Sequence, residues 1–282
     1  MSAVQVRDLR KSYGPLEVLQ GVSFEIEAGE VFGLLGPNGA GKTTTVEILE
    51  GYRKRDGGAV RVLGNDPVGA GADWRDRIGV VLQSSAMYET LTVAESIAQF
   101  AGYFSRPRDV DEVVGLVGLT EQRDMRVRRL SGGQRRRLDL GLALAGDPEL
   151  LFLDEPTTGF DPGARRRAWE TIRSLRSLGK TILLTTHYLD EAEQLADRVA
   201  VLRDGKIAAV GKPAELSAGA PATEIRYREN GRDVVLRTDE PTRVLHELTA
   251  QALAEDRELE GLVVRRPTLE EIYLSLTGEE AE

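Results

Sequence analysis

Two kinds of apolar pattern run along this chain. Near its start Val4, Val6 and Leu9 stand among polar neighbours, and Val22, Phe24 and Ile26 alternate strictly with Ser23, Glu25 and Glu27. A period of two predicts half-exposed, antiparallel strands. Later runs lose the alternation. Val31–Leu35, Ile78–Leu82, Leu150–Leu153, Thr181–Thr186 and Val199–Leu202 are strand-sized and mostly apolar, as expected of strands covered on both faces. Helical patterns lie between them: Lys42 to about Glu50, then Val93, Ile97 and Phe100, then Val113, Val114 and Val117, then Arg165–Arg176 and Leu189–Ala196. Residues 85–145 read as mostly helical. Buried strands alternating with amphipathic helices predict an α/β fold with a mainly parallel sheet.

The pattern changes near residue 217. Ser217-Ala-Gly-Ala-Pro-Ala222 reads as a linker. Beyond it, Glu224–Arg228 and Asp233–Arg237 flank an Asn-Gly pair, a strong hairpin signal. Val244, Leu245, Leu248 and Ala252 predict a helix, and Leu262–Val264 a short strand. Thr268 with Glu271 fits a capping box, and Gly278 a helix stop. The division is therefore 1–216, a linker at 217–222, and a small α+β domain at 223–282. Charge follows it: of a net −9, residues 1–216 contribute −2 and residues 217–282 contribute −7.

Composition removes several classes of chemistry. The chain has no cysteine and only two histidines, His187 and His246, which excludes thiolate and multi-histidine metal sites and cysteine nucleophiles. His246 reads as structural. No apolar stretch approaches the 18–20 residues, roughly, that cross a bilayer, and the start is too charged for a secretory signal. A soluble protein without a general nucleic-acid surface is expected; the runs Arg135–Arg137 and Arg165–Arg167 read as solvated helix faces.

Gly36-Pro37-Asn38-Gly39-Ala40-Gly41-Lys42-Thr43 matches the phosphate-loop pattern G-x4-G-K-[ST], between an apolar strand and a helix. Glycines let backbone N–H groups converge on an anion, and the helix start adds positive potential. Lys42 is placed to reach the β and γ oxygens of a nucleotide, and the Thr43 hydroxyl to ligate Mg²⁺. The strand Leu150–Leu153 ends in Asp154 and Glu155, where ligands of such sheets bind. Asp154 suits Mg²⁺; Glu155 suits a general base for an attacking water. Ser131-Gly132-Gly133-Gln134 opens a further helix, with Ser131 as its cap and two glycines leaving N–H groups open. One nucleotide needs only one such helix start, so the second calls for an explanation.

Leu130–Gln134 resembles the signature motif of ABC-type ATPases, and other motifs of that family stand in order around it over about residues 3–215. By this resemblance Tyr13 stacks on adenine, and the loop from Gly36 to Thr44 cradles ATP. Gln83 is the glutamine that couples Mg²⁺ to a partner. Asp161 belongs to the D-loop Thr158-Gly-Phe-Asp-Pro162, and His187 is the switch histidine that holds the γ-phosphate and the water. Phe160 and Ser84 depart from the commoner leucine and acidic residue. The resemblance implies an ABC-type P-loop NTPase core with an antiparallel β subdomain and a helical subdomain. It also resolves the doubled helix start: two such chains pair head to tail, and Ser131 and Gly133 of one close over ATP held by the other. Self-pairing is the simpler case, since no motif looks degenerate.

The tail Arg266–Gly278 resembles the C-terminal end of ATPase subunits that serve ABC-2-type exporters, including drug-resistance exporters. The expected function is an ATPase that powers export of a drug, antibiotic, lipid or polysaccharide. It would sit peripherally at the cytoplasmic face, held by permease subunits with about six spans, with the region after Gln83 as coupling surface and no nucleic-acid partner. An importer ATPase, or a soluble ABC ATPase acting on ribosomes or nucleic acid, is the alternative.

Overall fold

The computed structural model describes residues 2–81, 88–219, 223–229 and 232–265. The chain divides into two compact units, Met1–Val210 and Gly211–Glu282. In the first, β1 (Ser2–Tyr13) pairs antiparallel with β2 (Leu16–Glu27), setting Val4 opposite Ile26, Val6 opposite Phe24 and Leu9 opposite Val22. Matched apolar residues put one face of this ribbon in the core. β3 (Val31–Leu35), α1 (Lys42–Leu49) and β4 (Gly57–Val62) follow, and β4 pairs antiparallel with the far side of β1.

A six-stranded sheet forms the centre. After α2 (Ala72–Arg75) come β5 (Ile78–Val81), the helices α3 (Val93–Ala101), α4 (Val110–Leu116) and α5 (Gly132–Leu144), and β6 (Leu150–Asp154). Then follow α6 (Pro162–Ser177), β7 (Thr181–Thr186), α7 (Leu189–Leu195), β8 (Arg198–Arg203) and β9 (Lys206–Gly211). The strand order is β5-β6-β7-β3-β8-β9, and the β5–β6, β6–β7, β7–β3 and β3–β8 pairs are parallel. The five runs read as doubly covered strands are β3, β5, β6, β7 and β8. Alternate residues of these strands serve two cores. Leu151, Leu153, Ile182 and Leu184 join Ile97 and Leu138 of the helical region. Phe152, Leu183, Phe32 and Leu34 join Val4, Leu9 and Ile26 of the antiparallel sheet. The central sheet is thus packed between the helices and the antiparallel ribbon, the layered arrangement of an α/β fold.

β4 and β9 went unpredicted. β4 opens with Gly57-Gly58 and carries only two buried residues, Val60 and Val62; β9 is an edge strand whose residues alternate between exposed and half-buried. Asp204-Gly205 joins β8 to β9 with both residues at positive φ, 47° and 72°, as in a type I′ hairpin turn.

In the second unit α8 (Pro213–Gly219) occupies part of the segment read as a linker. β10 (Thr223–Glu229) pairs antiparallel with β11 (Arg232–Thr238), in a register that closes on Glu229 and Arg232. α9 (Pro241–Ala254) follows, and β12 (Glu260–Arg265) pairs with the other side of β10. The Asn230-Gly231 turn and the tail from Arg266 lie outside the described residues. Among the described residues no helix is long and apolar enough to cross a membrane.

Candidate functional site

β3 delivers the chain into the loop Gly36–Gly41, and α1 begins at Lys42. Two glycines are fixed by space and torsion. A Cβ on Gly36 would lie 2.4 Å from the Leu202 carbonyl oxygen. Gly41 caps α1 at φ 106°, and a Cβ there would lie 2.6 Å from Leu19 Cδ2. No side chain caps α1, so its first N–H groups are directed to an incoming anion. Gly41→Ala should weaken ATP binding in nucleotide titrations. Strain of about 1–3 kcal/mol should also lower the melting temperature by several degrees, read by calorimetry.

Lys42 is 5% exposed and folds back over the loop. Its Nζ donates to the carbonyls of Gly36 at 2.8 Å and Pro37 at 3.2 Å, and lies 3.5 Å from Glu155 Oε1. Burial lowers its pKa, opposed by the Glu155 carboxylate. Thr43 donates its hydroxyl to Asp154 Oδ2 at 3.3 Å. Asp154 Oδ1 accepts from the Thr185 hydroxyl, and Thr185 Oγ1 accepts from the Glu155 N–H at 3.0 Å. Thr185 on β7 therefore locks the carboxyl end of β6, a role not read from the sequence. Tyr13, at the end of β1, is 39% exposed, with its hydroxyl 3.5 Å from Thr44 Oγ1 and the Arg53 guanidinium over its ring.

Glu155 turns the chain at φ 47°. Its Oε1 lies 3.3 Å from His187 Nδ1, and its Oε2 accepts from the Thr158 hydroxyl at 3.2 Å. Burial pushes its pKa up, but Lys42, His187 and Thr158 together outweigh that and hold it below the usual carboxylate range. The carboxyl group is therefore ionised at neutral pH, the form that can accept a proton. Lys42, Asp154, Glu155 and His187, spread over 146 positions of sequence, thus converge at the carboxyl ends of β3, β6 and β7.

Ser131 and Gln134 form a capping box on α5: Ser131 Oγ accepts from the Gln134 N–H at 3.3 Å, and Gln134 Oε1 from the Ser131 N–H at 2.8 Å. Among the described residues, beyond the helix's own backbone and the chain neighbours, a Cβ placed on Gly132 meets nothing within 4 Å, and one on Gly133 meets the Ala164 Cβ at 3.5 Å. An open cleft of about 920 Å³ runs from Ser131–Arg137 to Glu155, Asp161 and Arg167. Asp161 caps α6, its Oδ1 accepting from the Ala164 N–H at 2.9 Å. Arg136 corrects an expectation: it faces inward rather than solvent and donates to the carbonyls of Asp154 at 2.9 Å and Pro156 at 3.3 Å. The arginine run straddles the inner and outer sides of α5, which a helical repeat of 3.6 makes unavoidable. Arg165 also departs from a plain solvated face, stacking over the Tyr188 ring at 4.4 Å. Gln83 lies outside the described residues.

The model of the ABC transporter family matches residues 19–158. Over 99% of this chain and 98% of its own length, the Nod factor export ATP-binding protein I of Rhizobium sp. (strain N33) is 40% identical. The chain belongs to the ABC transporter ATP-binding proteins. A solved ATP-binding cassette of an ABC transporter in its ADP conformation is 27% identical, with a TM-score of 0.67 over 76% of this chain and 92% of that one. A dimeric cassette in a post-hydrolysis state, bound to ADP and phosphate, shares the fold at 24% identity, with a TM-score of 0.66 over 74% of this chain and 98% of that one. The α/β P-loop fold and ATP hydrolysis coupled to transport, expected from the motifs, therefore stand. The Gly36–Gly41 loop lies within the residues matched by the family model.

Thr43 and Asp154 present a hydroxyl and a carboxylate oxygen side by side. Among the described residues no cluster of three or more histidine, cysteine or acidic groups is placed to hold a metal. A hard divalent ion bound through one carboxylate, phosphate oxygens and water fits this donor set.

Proposed function

We propose that this chain is the ATPase subunit of a membrane exporter, working as a pair with a second ATPase chain. The observation that carries the catalytic reading is the Glu155 carboxylate, held ionised between His187 and Lys42 beside the phosphate loop. In this reading Lys42 and the N–H groups of the loop bind the β- and γ-phosphates, and Tyr13 receives the adenine. Thr43, Asp154 and Gln83 would hold Mg²⁺, which when bound neutralises charge on the phosphates. Glu155 accepts the proton of a water whose oxygen attacks the γ-phosphorus as the bond to ADP breaks. His187 orients that water and the γ-phosphate. Ser131 and Gly133 supply N–H and hydroxyl donors to the nucleotide of the partner chain, and Asp161 lies beside that interface.

Export is supported by a relative named as an export ATP-binding protein and matched over nearly its full length, second unit included. Such relatives do not favour import or ribosome action. A drug, antibiotic, lipid or polysaccharide is the class of cargo, selected by permease subunits with about six spans that hold this chain at the cytoplasmic face. The tagged chain, purified in detergent from membranes of its own cell, should bring down a many-spanning permease. Vesicles holding the complex should move cargo away from the ATP-bearing side. Recovery with ribosomes alone, or movement toward that side, would overturn the reading.

A further inference from the structure

Glu155 and His187 lie on separate stretches of chain, and their 3.3 Å contact depends on how those stretches are held together. One buried side chain grips both. Glu191 on α7 is 0% exposed. Its Oε1 accepts from the Thr157 hydroxyl at 2.8 Å and from the Trp169 indole N–H at 3.2 Å. Its Oε2 is buried and accepts no hydrogen bond among the described residues. Burial pushes the carboxyl pKa up, against the hydroxyls of Thr186 and Thr157 and the Trp169 indole. A buried acid with one oxygen unanswered is costly, and an apolar side chain of similar size would pack at less cost.

The two donors, and the place of Glu191 itself on α7, explain what the cost secures. Thr157 is two residues past Glu155 and four before Asp161, on the loop that leaves β6. Trp169 is on α6, which that loop enters. Thr186 ends β7 immediately before His187, and α7 begins two residues after it. A second tie joins the same two stretches: Arg165 of α6 stacks over Tyr188 and reaches Asp190 Oδ2 at 3.4 Å.

We propose that Glu191 is a positioning residue, whose carboxyl fixes the loop carrying Glu155 and Asp161 against the β7–α7 joint carrying His187. The proposal rests on Glu155 and His187 acting together in hydrolysis. Glu191 is fully buried behind these groups and acts through them, by setting their geometry. Displacing a reacting group by about an ångström costs on the order of a hundredfold in rate.

The test is steady-state ATP hydrolysis and nucleotide binding by the purified full chain, with Thr157→Val, Glu191→Ala, Glu191→Gln and the Thr157→Val/Glu191→Ala double variant. Thr157→Val keeps the shape and removes one donor; Gln keeps the oxygen that Thr157 and Trp169 address. Thr157→Val and Glu191→Ala should lower kcat by about ten- to a hundredfold, with KM for ATP and nucleotide affinity within about twofold of wild type. Glu191→Gln should recover most of the loss, and the double variant should fall no further than Glu191→Ala. The proposal is overturned if Thr157→Val keeps wild-type kcat, if KM rises as much as kcat falls, or if Glu191→Gln is as slow as Glu191→Ala. Should Glu191→Ala fail to fold, Thr157→Val and Glu191→Gln decide alone. Glu155→Gln runs beside them. Full hydrolysis by that variant removes the catalytic reading itself, whereas a dead Glu155→Gln with wild-type Thr157→Val removes only the positioning role.

Discussion

Glu155→Gln should bind ATP as well as the wild type and hydrolyse it about 10²–10⁴-fold more slowly, the usual contribution of a general base. The amide keeps the size of the carboxyl and can still meet the Thr158 hydroxyl and His187. It loses the negative charge that Lys42 and His187 stabilise, and with it the ability to take a proton at neutral pH. ATP should then persist between two chains. Light scattering should show a species of twice 30.9 kDa that forms with ATP and not with ADP. A variant that stays monomeric with ATP would reject self-pairing and point to a different second ATPase chain.

Much of this site was legible because it is local in sequence. The phosphate loop is one unbroken segment flanked by its own strand and helix. A buried strand ending in Asp154-Glu155 announces carboxylates at the edge where ligands bind. Period-two alternation located the β1–β2 ribbon for the same reason: each pair of neighbours reports its own face. What escaped depends on distant partners. Glu191 stands in Asp190-Glu191-Ala-Glu193, which reads as the wet start of a helix. Its donors Trp169 and Thr157 stand more than twenty positions away. Arg136 is one of three adjacent arginines, and nothing in the run says which one turns inward to the carbonyls of β6's end. Thr185 looks like any strand threonine until β6 and β7 are paired. β9 is the exception. Its Asp204-Gly205 turn and the apolar run Ile207-Ala-Ala-Val210 after it were both readable hairpin signals.

Lys42→Met should fail at the step before Glu155→Gln. Met matches the length and apolar stem of lysine and removes only the cation. Lys42 Nζ already addresses two loop carbonyls and the Glu155 carboxylate, so the lost charge empties the centre of the cradle. Hydrogen bonds to charged groups are worth about 1.5–3 kcal/mol each, so loss of one such contact to the phosphates weakens ATP binding roughly ten- to 150-fold. Titration with a fluorescent ATP analogue reads the difference; affinity equal to wild type would remove Lys42 from the phosphate site. The same variant tests the head-to-tail pairing. A Lys42→Met chain keeps its signature segment, and a Ser131→Arg chain keeps its phosphate loop. Each alone should be inactive. Mixed, they form a dimer in which the intact loop of one faces the intact signature of the other, and hydrolysis should return. A silent mixture would mean that Ser131 does not serve a partner's nucleotide in a self-paired dimer. The capping box it forms with Gln134 would then be its whole role.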